Sequence, residues 1–184
     1  MPSFTVHTQE SAPDDARAVL EKVHSNYGFI PNLLGVLAEA PVAAEAYLSL
    51  IDLCRRSSLT PTERHVVWFA VNYEHECTYC MAAHTAVANS EHIVEEVIEA
   101  ARHGSPYGDK RLQALREFTR SVVVERGNVS PQQVEEFLAM GFTQRNVLEI
   151  LVVISSKILS NYANHIAETP LDEAFSSCAW NKAG

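Results

Sequence analysis

Two cysteines, two histidines and two glutamates lie within the eleven residues from Glu74 to His84, in the stretch NYEHECTYCMAAHTAVA. On a helix, Cys77, Cys80 and His84 fall within about 60° of one another. The C-x-x-C spacing brings the two thiols within disulfide reach. His84, four residues beyond Cys80, sets its imidazole against the Cys80 thiol. Glu74 joins that side if the helix begins earlier, or reaches in from the preceding turn. An imidazolium and the positive end of a helix both lower a thiol pKa. The resulting thiolate attacks a peroxide oxygen or a disulfide sulfur, and a sulfenic acid so formed condenses with a thiol three residues away. Cys80, nearer His84, is the expected attacking thiol and Cys77 the resolving one.

Two other chemistries fit the same residues. Two thiolates and an imidazole are three of the four ligands that zinc takes, with His65, His75 or Glu74 as the fourth. No second C-x-x-C or H-x-H pair accompanies them, and three ligands on one short helix crowd a tetrahedral site. No metal is therefore expected. The other alternative is a non-catalytic helical binding protein whose C-x-x-C is a redox switch. Tyr79 is expected to pack, and His75 and Glu76 to form a solvated corner. Asn161, Tyr162, Asn164 and His165 place polar groups at the end of an apolar helix, where they serve an interface, approach the site, or simply leave the core. Cys54 and Cys178 stand alone and read as inert buried thiols.

The elements that must position these residues all have helical period. Pro13 opens a first helix closed by Gly28, and IPNLLGVLAEA is a short second one. A third runs from Pro41 to about Ser57. Thr60, Pro61 and Glu63 form a capping-box start for the next. Thr78 to about Ala88 carries the cysteines, and Ser90 is the expected cap of a surface helix closed by Gly104. A helix over KRLQALREFTRSVVVERG follows. Ser130 and Pro131 start another, ending at Gly141, and Thr143 caps a long run ending at Pro170. The tail reads as a short amphipathic helix. The expectation is all-α: one compact multi-helix bundle over 1–184, of roughly eight to ten helices, holding a site between facing helices.

Composition narrows the partners. The 184 residues are 47% hydrophobic and 20% charged, with a net charge of -9, the balance of a globular chain. Phosphate binding wants clustered Lys and Arg, so nucleic acid and anionic membranes are excluded as partners. The N-terminus lacks a basic start and an apolar run, and Val147 to Leu159 is too short to span a bilayer. A cytoplasmic protein is expected.

The stretch LTPTERHVVWFAVNYEHECTYCMAAHTAVA, residues 59–88, resembles the core of the alkylhydroperoxidase D-like, or carboxymuconolactone decarboxylase, family. Its C-x-x-C-x-x-x-H element is that family's peroxidase signature. FIPNLLGVLAEAP upstream and GFTQRNVLEILVVISSKILSNYANHIAETPLDE downstream look like the peroxidase-related branch. The resemblance implies an all-helical homo-oligomer, from dimer to hexamer, without metal or organic cofactor. It also implies a hydroperoxide substrate and an external dithiol or thiol reductant. Cys80 would be the peroxidatic cysteine, Cys77 the resolving one, and His84 part of a proton relay. Where alkylhydroperoxidase D has a glutamate base, twelve residues before the first cysteine, this chain has His65. Glu74 is the expected substitute, with His65 able to relay a proton and Glu63 a weaker choice. The family's second histidine between the cysteines is also missing, since Thr78 and Tyr79 fill that gap. Decarboxylase members lack the cysteine pair, so its presence argues against lactone chemistry.

Overall fold

In the computed structural model, which describes residues 4–182, nine α-helices and two short 3-10 turns carry all the regular structure, and no strand occurs among the described residues. The helices are α1 Arg17–Tyr27, α2 Asn32–Leu37, α3 Pro41–Arg55, α4 Pro61–Glu74, α5 Thr78–Ser90, α6 Glu95–His103, α7 Lys110–Val124, α8 Pro131–Ala139 and α9 Gln144–Ala167. None is long and apolar enough by itself to cross a membrane.

Helix α4 lies at the centre. Its start is fixed by a reciprocal capping box: Thr60 Oγ1 accepts from the Glu63 N–H at 3.2 Å, and Glu63 Oε2 accepts from the Thr60 N–H at 2.8 Å, satisfying two amides that the helix itself leaves unpaired. From Glu63 to Asn72 every residue is buried, so α4 has no solvent face. It packs against α5, α6, α7 and α9, while α3 lies along α9. Ser130 with Gln133 and Thr143 with Asn146 build the same box at the starts of α8 and α9.

Two apolar clusters result. The larger joins Val66, Phe69 and Val71 of α4 to Leu115 and Phe118 of α7 and Ile150 and Val153 of α9. The smaller joins Val23, Leu33, Leu34 and Ala44 of α1 to α3 with Cys77, Tyr79 and Cys80. The cysteine pair therefore sits on the α5 side of the core, facing the N-terminal helices.

Helix α9 has its polarity inverted. Lys157, Ser160, Asn161 and Asn164, spaced three, one and three residues apart, are buried. Leu148, Leu151, Ile158, Tyr162 and Ile166 point outward, Leu148 and Ile166 being 65% and 69% exposed.

Several boundaries differ from the sequence expectation. Pro13 precedes a 3-10 turn, Asp14–Ala16, and α1 proper starts at Arg17. Ser90 does not cap α6: α5 runs on through it, and the Ser90 hydroxyl donates back to the Val87 carbonyl at 2.7 Å. The chain then reverses at His92, φ +56, before α6 begins at Glu95. The tail is a 3-10 turn, Glu173–Cys178, not an α-helix. Gly104 closes α6 as expected, at φ +66. A Cβ there would collide with the Tyr73 ring, so both conformation and space require glycine.

Candidate active site

The turn between α4 and α5 decides where each polar group goes. α4 ends at Glu74, and Glu76 takes a left-handed conformation, φ +54. The Cys77 N–H reaches back to the Asn72 carbonyl at 3.0 Å. Cys77 is thus the extended N-cap of α5, not a residue of its helical face. Cys80 is the third residue of the helix, in the turn where unpaired amides concentrate positive potential. All four cysteines are free and buried.

Cys80 is held by α9. Its Sγ accepts from Asn164 Nδ2 at 3.2 Å and lies 3.6 Å from Ser160 Oγ. Burial by itself pushes this thiol up. Donation from the Cys77 thiol, the positive charge of Lys157, and the Ser160 and Asn164 contacts outweigh it and bring Cys80 down to about 6. Cys77 moves the opposite way, raised because it donates to Cys80 and because it is buried. The two thiols are pushed in opposite directions, the asymmetry that nucleophile and resolving partner require.

The cation beside Cys80 is not the one the spacing suggests. His84 does not bond to Cys80. Its Nε2 stands 2.6 Å from Lys157 Nζ, and burial, then the charge on Lys157, keep the imidazole well below its ordinary pKa and neutral. Lys157, fully buried, supplies the charge. Its own pKa is lowered by burial and supported by the three nearby thiols, Cys80, Cys77 and Cys54.

Glu74 is not brought to the site. With α4 ending there, its carboxylate faces α7 and pairs with Arg120 at 2.8 Å. Glu63 is engaged by Arg111 at 3.0 Å. His65 is completely buried, its ring 6.2 Å from that of His84, and its Nε2 lies 3.2 Å from Glu91 Oε2. The carboxylate nearest the histidines is therefore Glu91, at the end of α5. Of the corner residues, Glu76 is exposed and pairs with Lys182, while His75 bonds Asn161 at 3.1 Å.

A pocket of about 410 Å³ opens onto Cys80. His84, Lys157, Trp68 and Tyr47 line it near the thiol; Arg55 and Glu91 also line it. Phe29 and Phe175 meet edge to face at 5.9 Å on its wall. Tyr79 does more than pack. It donates to Asp172 Oδ2 at 2.6 Å, and Asp172 also accepts from the Asn32 N–H at 3.0 Å, tying the C-terminal segment to α2 and α5.

Five buried polar atoms around the thiols have no partner among the protein's own groups: His65 Nδ1, His84 Nδ1, Asn72 Oδ1, Asn161 Oδ1 and Asn164 Oδ1. Buried polar groups are normally satisfied by protein or by ordered water. Among the described residues no group of three or more His, Cys, Asp or Glu side chains is arranged to hold a metal.

Sequence reasoning missed Lys157, Ser160 and Glu91. A signal for the first two existed, in the polar i, i+3, i+4, i+7 pattern that begins inside the apolar run Val147 to Leu159. Glu91 carried none.

The comparisons bear on the fold. The model of the carboxymuconolactone decarboxylase family matches residues 41–121. A peroxidase-related protein with an alkylhydroperoxidase D core, from Ralstonia eutropha JMP134, superposes with TM-score 0.80 at 22% identity, covering 95% of this chain and 96% of its own. A peroxidase-related protein from Silicibacter sp. TM1040 gives 0.78 at 19% identity, with 95% of each chain covered. A debrominase in complex with 2,3,4-tribromopyrrole gives 0.79 at 16% identity, covering 97% of this chain and 96% of its own. No curated protein matches the sequence.

Proposed function

We propose that this chain, whose residues 41–121 match the model of the carboxymuconolactone decarboxylase family and whose fold is that of a protein with an alkylhydroperoxidase D core, is a dithiol oxidoreductase that reduces hydroperoxides. The observation that carries this reading is the C-x-x-C pair with Cys80 on a pocket wall, its Sγ 3.2 Å from Asn164 Nδ2 and 3.6 Å from Ser160 Oγ. The Cys80 thiolate attacks the terminal oxygen of a hydroperoxide, breaking the O–O bond and forming a sulfenic acid. The Cys77 thiol displaces hydroxide from that sulfur, giving a Cys77–Cys80 disulfide and water. An external dithiol returns two electrons and two protons. The outward apolar stripe of α9 supports a homo-oligomer in which a second copy covers it.

Treatment with one equivalent of peroxide should consume two thiols and yield a Cys77–Cys80 disulfide by mass spectrometry. Wild-type turnover by Cys80→Ser would refute the mechanism.

A second reading has support in the aromatic lining, Tyr47, Trp68, Tyr79, Phe29 and Phe175, and in the debrominase likeness. The same two-electron couple converts a C–Br bond and two thiols into C–H, HBr and a disulfide. Bromide release from a brominated pyrrole by the reduced protein, with no peroxide turnover, would favour this substrate over the first.

A further inference from the structure

Lys157 is an anomaly. A wholly buried ammonium normally sits against a carboxylate, because desolvating a lone charge costs far more than a hydrogen bond returns. Among the described residues no carboxylate contacts Lys157. Its partner is the neutral His84 Nε2 at 2.6 Å, and the Tyr47 ring lies 5.5 Å away. The titratable groups around it are Cys80, Cys77 and His84 from the α5 side, Tyr47 and Cys54 of α3, and His65 of α4. It lines the pocket beside Cys80. On general grounds an apolar side chain of similar length would fill such a space at lower desolvation cost.

We propose that Lys157 is the acid of the site: its ammonium gives up the proton that the leaving oxygen takes when Cys80 breaks an O–O bond. This rests on the hydroperoxide reading above. The reduced enzyme holds a Cys80 thiolate and a Lys157 ammonium. Attack on R–O–OH gives Cys80–SOH and an alkoxide, which takes a proton from Lys157 and leaves as R–OH, with a neutral amine behind. Cys77–SH condenses with Cys80–SOH, releasing water. A dithiol then reduces the disulfide, and its two protons restore the Cys77 thiol and the Lys157 ammonium. His84 is a positioning residue in this scheme: its neutral Nε2 fixes Nζ and lets the ammonium stay acidic, which a carboxylate would prevent. The lowered pKa of Lys157, caused first by burial, brings the donor nearer the working pH, where general acids are most effective.

The test compares two reagents on Cys80 in the full-length protein. Cumene hydroperoxide needs a proton on its leaving group; iodoacetamide, which releases iodide, does not. Both rates are divided by the thiolate fraction read from ultraviolet absorbance. Lys157→Met should lose about a hundredfold in peroxide oxidation while alkylation per thiolate stays near wild type. Lys157→Arg should recover thiolate formation but not the peroxide rate, since a guanidinium holds its proton. Across peroxides whose leaving alcohols grow more acidic, the Met variant's deficit should shrink. Equal loss with both reagents, a deficit constant across the series, or full rescue by Arg would each overturn the assignment. Wild-type protein that is alkylated at Cys80 but never oxidised by any peroxide would remove the hydroperoxide reading, and this role with it.

Discussion

The groove between α7 and α8, about 520 Å³, is larger than the Cys80 pocket, about 410 Å³, yet their walls are built on opposite plans. The groove's polar side chains satisfy each other: Gln113 donates to Glu117 at 2.8 Å and Gln133 to Glu125 at 2.9 Å. Beneath them Phe118, Phe137 and Phe142 stack at 4.2 and 4.3 Å, with the Arg111 guanidinium 3.6 Å over Phe142. The Cys80 pocket reverses this, with aromatic walls around a thiol and a buried cation. Volume does not locate a site. A buried cation beside a thiol is the better guide, because perturbed ionisable groups cluster at functional sites.

Substitutions should separate the two regions. Cys80→Ser is the largest break: peroxide-dependent disulfide formation should vanish. Next, Phe137→Ala, emptying the stack beneath the groove, should destabilise the protein by about 3–5 kcal/mol in urea melts. It should leave the pH profile of Cys80 alkylation where it was. A shifted profile would mean that the two regions are coupled.

The pH dependence comes third in size. The thiolate is the reactive form, so alkylation of Cys80 should rise with pH through a midpoint of about 6. That is roughly a tenfold gain between pH 5 and 7. Because the folded value lies below that of an ordinary thiol, this ionisation favours the native state above the midpoint, and its contribution is lost as pH falls through 6. A midpoint near that of a free cysteine would show that α9 does not tune the thiol.

Glu74→Gln should do least. Its partner Arg120 is 61% exposed, and surface pairs of this kind are worth about 0–1 kcal/mol. A tenfold loss of peroxide activity would restore the catalytic role that its spacing suggested.

What the sequence made legible was local. The capping boxes at Thr60, Ser130 and Thr143 rest on residues three apart, and each formed. Cys77 and Cys80 also act over a short span, and the chain brought them together. His84 and Glu74 failed for a common reason: helical spacing says which residues share a face, not what that face meets. The imidazole met Lys157, and the carboxylate met Arg120. In one dimension Lys157 looks like an interruption of an apolar run. Only when α9 lies against α5 does it become the charge beside the thiol. Glu91 belongs to the same class, since it meets His65 only through the packing of α4 on α5.

The contact from Asn164 to Cys80 spans 84 residues of chain, and it has a consequence for how the protein forms. Such a contact must wait for loop closure and the docking of α9. Until then Cys80 has no reason to ionise more readily than a cysteine in a flexible peptide. Thiol ionisation is therefore a clock for assembly. In a refolding experiment quenched at intervals near pH 7, fast alkylation of Cys80 should appear in step with the docking of α9 and not with the first gain of helix. The protein would acquire its reactive sulfur only in the last stage of folding, when the pocket that governs access to it already exists.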